Sequence, residues 1–355
     1  MQEINEKLTK DIQDELKKFS GNFSLKNIAR LKGDASNRVY YRLEVTGFEK
    51  PTMVLMAVNT VDRGIVSEEI IKVSKKFIEL PFLNIQRFLF KIGARVPVVY
   101  HHSKNAEFVF LEDFGDRLMH TIVSNSNRDE VSKIYRTSIE QLLHLQFNGI
   151  KNKDKNCYAF WHSFDDKLLM WEFAHFIEYG IEKRTGKIRE AYRRELYKHF
   201  EKISGILAQE PTVLTHRDYH SRNLMVIDSS LGILDFQDAL LGIPHYDLAS
   251  LLRDSYIDLD ENIIDEMVKY YIAVARENFG VKWRPADFRE TFDLASIQRN
   301  LKAAGRFHYI HQVKKNPDYL QYLPGTLRKV KTNLLKYKWL RPLYNILAEY
   351  TEELR

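Results

Sequence analysis

A short stretch in the second half of the chain holds side chains suited to phosphoryl transfer. His216 and Asp218 form a His-x-Asp pair, Asn223 follows Asp218 by five positions, and Asp235 ends the next apolar run. The Asp218 carboxylate can orient a substrate hydroxyl and accept its proton. The side-chain oxygens of Asn223 and Asp235 are hard ligands suited to Mg²⁺, which bridges the phosphates of ATP. Because phosphoryl transfer needs an aligned hydroxyl and neutralised phosphate charge, this set predicts an ATP- and Mg²⁺-dependent kinase.

Two apolar segments predict the hairpin that must position the metal ligands. Residues 224–227 and 232–234 are short runs of strand-forming side chains. Asn223 precedes the first run and Asp235 follows the second, so an antiparallel pair brings both side chains to one edge. Single His-x-Asp and Asp-Phe pairs occur by chance, and a polar loop can be a solvated turn. Their order here, with apolar strands between them, favours an active site.

Hydrophobic periodicity divides the chain into a small β-rich unit and a larger helical unit. The first unit is predicted to contain helices at 3–19 and 83–92 and strands at 27–31, 38–45, 53–58, 96–102 and 107–112. Long helical patterns follow Gly115, at 128–147, 165–179, 187–209, 246–253, 263–279 and 287–313. We therefore expect an α+β fold with two domains, residues 1–115 and 116–355.

The segment 214–254 resembles the aminoglycoside phosphotransferase and choline kinase superfamily, which shares the protein-kinase fold. The resemblance implies two lobes, a small β-rich N-terminal lobe and a larger, mainly helical C-terminal lobe. By position, it implies that Asp218 is catalytic and that Asn223 and Asp235 bind the metal. Protein kinases have Asp-Phe-Gly where this chain has Asp235-Phe236-Gln237, a departure usual among small-molecule kinases of the superfamily. The resemblance therefore points to a small-molecule substrate.

Longer motifs are similar to those of bacterial anomeric sugar kinases, which phosphorylate N-acetylmuramate and N-acetylglucosamine in cell-wall recycling. The matching runs are HRDYHSRNLM at 216–225, DFQDA at 235–239, YDLASLLRD at 246–254 and GDAS at 33–36. The similarity extends over residues 33–324. It implies that the acceptor is the anomeric hydroxyl of a small sugar.

The nucleotide is expected to bind against the β-rich unit. The turn between the first two strands contains Gly33, Ser36 and Asn37, where backbone N–H groups can contact the β- and γ-phosphates. A turn with a single glycine can also be an ordinary hairpin, and the resemblance favours the phosphate role. The strand that ends at Glu112 resembles the segment joining the lobes in this superfamily. There, main-chain groups near Glu112 and Phe114 would pair with the adenine edge.

One expected cation is missing from the third strand. Kinases of this fold place a lysine there to hold the α- and β-phosphates, whereas this chain has Met56. Arg38 and Arg42, on the strand after the phosphate turn, are candidate replacements because a guanidinium suits phosphate oxygens. The residues do not select between them. Met56 also keeps open the alternative of a nucleotide-binding pseudokinase.

Selectivity for the acceptor is expected to come from the helical unit. The candidates for substrate binding are His220, Arg222, Asp238 and Asp254. Asp247 is predicted to cap a helix or to brace the catalytic loop. Some further residues could either contact the substrate or serve only in packing or solvent contact. They are Trp161, Trp171, Tyr179, Arg299 and Arg306.

Composition indicates an ordinary globular enzyme. The formal net charge of +6 comes from 54 basic and 48 acidic residues, with no basic run of the density expected for nucleic-acid binding. No apolar window is long enough to cross a membrane, and a single cysteine suits a reducing compartment. We therefore expect a cytoplasmic protein with a small-molecule partner, and the oligomeric state stays open.

A kinase of another small alcohol is the main alternative substrate class. Aminoglycosides, choline and homoserine are acceptors of this kind. Because aminoglycosides are polycations, their site should be strongly acidic. The acidic residues between 258 and 266 keep that alternative open.

Overall fold

An antiparallel sheet of five strands forms the N-terminal lobe. The computed structural model describes residues 6–19, 22–31, 38–58, 77–228 and 230–355. The strands of this sheet are β1 Ser24–Arg30, β2 Val39–Thr46, β3 Thr52–Ala57, β4 Val99–His102 and β5 Phe108–Leu111. They pair in the order β1-β2-β3-β5-β4. The predicted strands are confirmed, with ends that differ by a few residues.

Helix α1 (Glu6–Phe19) covers one face of this sheet. Its apolar residues recur at helical spacing, and Ile12 and Leu16 are fully buried in a cluster with the sheet. Gln13 fastens the helix to β1, because its side-chain oxygen accepts the Leu25 amide at 2.8 Å. The opposite face of the sheet is therefore the one that packs on the rest of the chain.

The remainder of the chain is mainly helical, as predicted. Its helices are α2 Pro81–Lys91, α3 Met119–Val123, α4 Arg128–Leu143, α5 Gly149–Lys151, α6 Asp166–His175, α7 Lys183–Thr185, α8 Glu190–Ala208, α9 Pro244–Leu252, α10 Glu261–Phe279, α11 Pro285–Lys314, α12 Leu323–Lys336 and α13 Arg341–Tyr350. π-Helical turns extend α4 and α6, at His144–Asn148 and Phe176–Glu182. A capping box starts α4, since Asn127 and Glu130 each accept the other's backbone N–H.

Two short strand pairs lie within the helical lobe. The predicted hairpin is confirmed as β7 (Leu224–Ile227) and β8 (Ser230–Ile233). A second pair, β6 (Val213–Thr215) with β9 (Leu240–Gly242), was not predicted. Three-residue strands are too short to show an alternating pattern, and their pairing joins residues distant in sequence. The two pairs enclose the loop that carries Asp218.

A continuous apolar core joins the two lobes. Met56 and Val109 of the sheet belong to the same buried cluster as Leu224 and Ile233 of the hairpin. The α+β, two-lobed fold is thus present, while its division at residue 115 stays a prediction. Within the described parts of the chain, no helix has the length and apolar character needed to cross a membrane.

Candidate active site

Two buried carboxylates hold the loop that carries the predicted catalytic residue. Asp247, on α9, accepts the backbone N–H groups of His216 (2.6 Å) and Arg217 (2.9 Å), the bracing role predicted for it. Arg217 has a φ of +78°, a left-handed conformation that is strained in a residue with a side chain. Asp254 accepts the Ser221 amide at 3.0 Å and its hydroxyl at 2.5 Å. These bonds hold a strained loop in one conformation.

Asp254, a predicted substrate residue, is engaged inside the protein. It is 1% exposed, and its second carboxylate oxygen accepts the Tyr256 amide at 2.9 Å. Lys329 donates to the Asp254 carbonyl at 2.8 Å. Because both carboxylate oxygens accept hydrogen bonds from the protein, the geometry favours a loop-bracing role over contact with a sugar.

The predicted metal ligands meet where the loop joins the hairpin. Leu234 donates its amide to the Asn223 carbonyl at 2.9 Å, and its own carbonyl lies 2.8 Å from His216 Nε2. The Asn223 side-chain nitrogen donates to the Asp218 backbone carbonyl at 2.9 Å. The side-chain oxygen of Asn223 is therefore not used in this bond and can accept or bind a cation. Asp235 directly follows Leu234 with a φ of +60°. An amide oxygen and a carboxylate at one edge fit the ligand preference of Mg²⁺.

Asp235 is surrounded by charged and polar groups. Desolvation raises its pKa to about 6, although a hydrogen bond from Gln237 (2.8 Å) and the charge of Arg38 oppose this rise. A bound divalent cation would favour the ionised carboxylate. Gln237 also contacts Asp238 at 3.4 Å. The predicted substrate residue Asp238 therefore lies beside a predicted metal ligand.

The structure places a lysine beside Asp218 that the sequence did not reveal. Lys302, on α11, has its Nζ 4.0 Å from Asp218 Oδ1. Desolvation favours the neutral acid, but Lys302, followed by His220 and Arg299, overcomes this and holds the pKa of Asp218 well below its usual value. Asp218 is therefore ionised at neutral pH, as a proton acceptor must be.

A buried carboxylate anchors Lys302 from behind. Glu172, on α6, is fully buried, and its Oε1 lies 3.3 Å from Lys302 Nζ and 3.3 Å from Arg217 Nη2. Its Oε2 accepts from Gln298 at 2.7 Å and from the Tyr246 hydroxyl at 3.3 Å. A buried carboxylate persists only when it is paired and hydrogen-bonded in this way. Glu172 thus connects α6, α9 and α11 to the loop that carries Asp218.

The structure separates the two candidate cations for the phosphates. Arg42 is held at the segment 112–115 that joins the lobes, here called the hinge. Its Nε and Nη2 donate to the Asp113 carboxylate at 2.7 and 3.0 Å. Arg38 instead lies with its Nη1 4.0 Å from Asp235 Oδ1. Met56 is fully buried on β3. The geometry therefore favours Arg38 as the replacement for the missing lysine. The predicted phosphate contacts outside the described residues are Gly33, Ser36 and Asn37.

The hinge side chains Glu112 and Phe114 stiffen the junction of the lobes. The Glu112 carboxylate accepts from Arg95 at 2.6 and 2.8 Å and from Lys50 at 2.8 Å. The Arg95 guanidinium lies 4.5 Å from the centre of the Phe114 ring. That ring packs on Gly232, where an added Cβ would lie 2.4 Å from it. The contact of the hinge main chain with adenine stays a prediction.

Replacing Glu112 with Gln is expected to weaken this junction in a pH-dependent way. Burial favours the neutral acid, but hydrogen bonds from Arg95 and Lys50 lower the pKa of Glu112 from 4.5 to about 2. The ionised group therefore stabilises the fold above pH 4.5, and this contribution is lost as the pH falls toward 2. We expect E112Q to lose roughly 2 kcal/mol of unfolding free energy at neutral pH, because solvent screens part of the interaction.

Urea unfolding at pH 7, 5 and 3 measures this loss. Its control is E201Q on α8, which removes an exposed carboxylate. The difference in unfolding free energy between wild type and E112Q should be smaller at pH 3 than at pH 7. A difference independent of pH would contradict the assigned ion pairs.

The remaining substrate candidates lie next to an aromatic cluster. The Arg222 guanidinium lies 4.0 Å from the ring centre of Tyr256 and 4.8 Å from that of Tyr322, and it donates to the Tyr322 hydroxyl. The His220 ring lies 5.2 Å from Tyr256. Desolvation lowers the pKa of His220 to about 4, so its ring is neutral at physiological pH. Substrate contact by either residue stays a prediction.

Comparison with known proteins identifies the family of the chain. Residues 27–283 match the phosphotransferase enzyme family. The chain belongs to this family. The matched region includes the loop that carries Asp218, both predicted metal ligands and most of the N-terminal sheet of this phosphotransferase.

Relatives of this phosphotransferase include proteins named N-acetylmuramate/N-acetylglucosamine kinase. The protein from Neisseria meningitidis serogroup B is 29% identical over 272 residues, which cover 76% of this chain and 79% of the relative. The protein from Pseudomonas aeruginosa is 27% identical over 274 residues, which cover 76% of this chain and 77% of the relative.

Solved structures with the same fold belong to other small-molecule kinases. The ADP-bound aminoglycoside phosphotransferase APH(2'')-Ib superposes with a TM-score of 0.57 at 17% identity and covers 90% of this chain and 97% of its own. The choline kinase LicA from Streptococcus pneumoniae superposes with a TM-score of 0.60 at 12% identity, covering 92% and 99%. At these identities the likeness establishes the two-lobed fold.

Proposed function

We propose that this phosphotransferase is an ATP- and Mg²⁺-dependent kinase for the anomeric hydroxyl of N-acetylmuramate or N-acetylglucosamine, acting in cell-wall recycling. The observation that carries the proposal is the ionised Asp218, held on a braced loop beside Asn223 and Asp235. Relatives named for these two sugars support the choice of acceptor. The proposed location is the cytoplasm, where ATP is available.

Each residue of the site has a role that follows from its contacts. Asp218 orients the acceptor hydroxyl and takes its proton, while Lys302 keeps the carboxylate ionised. Asn223 and Asp235 would hold Mg²⁺, which neutralises charge on the phosphate oxygens when bound. Arg38, next to Asp235, is placed to contact the phosphates.

The structure gives no support to a polycationic acceptor at α10. The acidic residues near its start are already engaged, four in ion pairs with arginines and one as the helix cap. The ion pairs are Asp258 with Arg328, Glu261 with Arg253, Asp265 with Arg289 and Glu266 with Arg136, and the cap is Asp260. Neutralised carboxylates of this kind do not form a strongly acidic site.

A substrate panel tests the proposal. The purified protein with ATP and Mg²⁺ is offered N-acetylmuramate, N-acetylglucosamine, aminoglycosides and amino alcohols, and products are identified by phosphorus NMR. We expect a sugar 1-phosphate from at least one of the two N-acetyl sugars. A product phosphorylated at another hydroxyl would remove the anomeric assignment. Absence of turnover with every acceptor would favour the pseudokinase alternative.

A further inference from the structure

A row of side chains leads away from Asp218 along one face of α11. Lys302, Arg306 and Tyr309 are spaced four and three residues apart, so they lie on the same side of the helix. The row begins at the catalytic carboxylate, because Lys302 Nζ is 4.0 Å from Asp218 Oδ1. The Arg306 guanidinium lies 4.7 Å from the centre of the Tyr309 ring. This face therefore continues the active site with a cation and an aromatic ring.

A second row faces it from α6 and its π-helical extension. The Trp171 and His175 rings stack with centres 5.4 Å apart, and the His175 and Tyr179 rings are 4.8 Å apart. Tyr309 joins the two rows, with its ring 5.5 Å from His175 and 5.0 Å from Tyr179. Together Trp171, His175, Tyr179, Arg306 and Tyr309 form what we name the α6–α11 patch.

The helices that carry this patch are fixed against each other. Gly305 lets α11 approach the extension of α6 closely, since an added Cβ there would lie 2.8 Å from the Phe176 Cα. Glu172, next to Trp171 in sequence, binds Lys302 at 3.3 Å and joins the same two helices. The patch therefore has the rigid support that a binding site requires.

Two members of the patch, the exposed Trp171 and the half-buried Arg306, have features that packing does not explain. Trp171 is 37% exposed, one of few large apolar side chains so exposed in the described part of the chain. Arg306 makes no ion pair with any described residue and touches Tyr309 through its guanidinium. An exposed indole and an unneutralised guanidinium in one patch suit a ligand that has both a ring face and a negative charge.

The other candidates left open by the sequence are already engaged in the protein. Trp161 donates its indole N–H to the Lys155 carbonyl at 2.9 Å and stacks on Phe77. Arg299 is 4% exposed and donates to the Ser250 hydroxyl at 2.7 Å. Arg222, described above, lies between two tyrosine rings. The structure thus leaves Trp171, Tyr179 and Arg306 of that set, and all three belong to the α6–α11 patch.

We propose that the α6–α11 patch is the acceptor subsite, in which Trp171 stacks on the sugar ring and Arg306 binds a carboxylate substituent. This inference rests on the proposed function and specifies the anionic amino sugar as the ligand that Arg306 recognises. Four residues of α-helix rise about 6 Å. Lys302 and Arg306 are thus about 6 Å apart along α11, and a pyranose with its anomeric hydroxyl at Asp218 would direct an acidic substituent toward Arg306 along this face.

Arg306→Met provides the decisive variant. N-Acetylmuramate carries a carboxylate that N-acetylglucosamine lacks, so the two sugars report the charge contact separately. We expect KM for N-acetylmuramate to rise about 10- to 100-fold, the scale of a lost charge-assisted hydrogen bond, with KM for N-acetylglucosamine changing less than about twofold. Trp171→Ala is expected to raise KM for both sugars about tenfold, and Trp171→Phe to restore most of the loss.

The matched control is Arg276→Met, which removes an exposed arginine from the last turn of α10. Its KM values should equal those of wild type. Equal changes for both sugars in Arg306→Met, or no change, would overturn the subsite while leaving the sugar kinase intact. If wild type turned over neither sugar, the proposed function would be overturned, and the assignment of the acceptor subsite with it.

Discussion

Asp218→Asn is expected to lower kcat by about 10²- to 10⁴-fold, the usual contribution of a positioned general base. The amide keeps the shape of the side chain but cannot accept the proton of the acceptor hydroxyl. The loop should keep its conformation, because the bonds that brace it come from Asp247 and Asp254. Affinity for the nucleotide should change little, since the predicted metal ligands Asn223 and Asp235 are untouched.

Steady-state kinetics measures the expected loss of kcat, and calorimetric titration with nucleotide measures the expected unchanged affinity. Asp318→Asn, which changes an exposed carboxylate on the loop before α12, is the control for loss of one charge. Wild-type turnover by Asp218→Asn would show that another group accepts the proton. Loss of nucleotide binding in this variant would instead place Asp218 among the ligands of the metal.

Lys302→Met is expected to make kcat depend on pH, with the largest loss at the acid end of the profile. Lys302 lies 4.0 Å from Asp218 and helps to hold its pKa below the usual range. Removing that charge leaves desolvation opposed by fewer cations, so the pKa of Asp218 rises. Because only the ionised carboxylate accepts a proton, the acid limb of the kcat profile should move to higher pH.

The profile of kcat from pH 5 to 8 measures this shift, and Lys302→Arg is the matched control that keeps the charge. The fold should survive in Lys302→Met, because Glu172 keeps its contacts with Arg217 and Gln298. A uniform loss of activity at every pH would contradict the electrostatic role. Equal losses in the methionine and arginine variants would point to packing instead.

Local patterns in the chain predict the catalytic loop and its hairpin well. β7 begins directly after Asn223, and the strand that ends before Leu234 is offset by a residue or two from its expected bounds. These elements depend on side chains adjacent in sequence, which set strand propensity and the polar turn between them. Two roles were predicted for Asp247, and the structure shows the brace, because its carboxylate accepts backbone N–H groups of the loop and does not cap α9.

Patterns could not reveal the groups that reach the site from distant segments. Lys302 lies on α11 at an ordinary helical position, and no local signal separates it from surface lysines. Glu172 lies among apolar neighbours on α6, a pattern that indicates a buried carboxylate but does not identify its partners. The choice between Arg38 and Arg42 also depended on where the hinge carboxylates lie.

By itself, the sequence determined which reaction chemistry to expect of this protein, since the types and order of Asp218, Asn223 and Asp235 limit what the loop can do. Only the tertiary structure decided which charges surround that chemistry. The reason is physical: electrostatic interaction depends on distance through space and on desolvation, and α6 and α11 approach the loop through packing that a linear pattern does not encode.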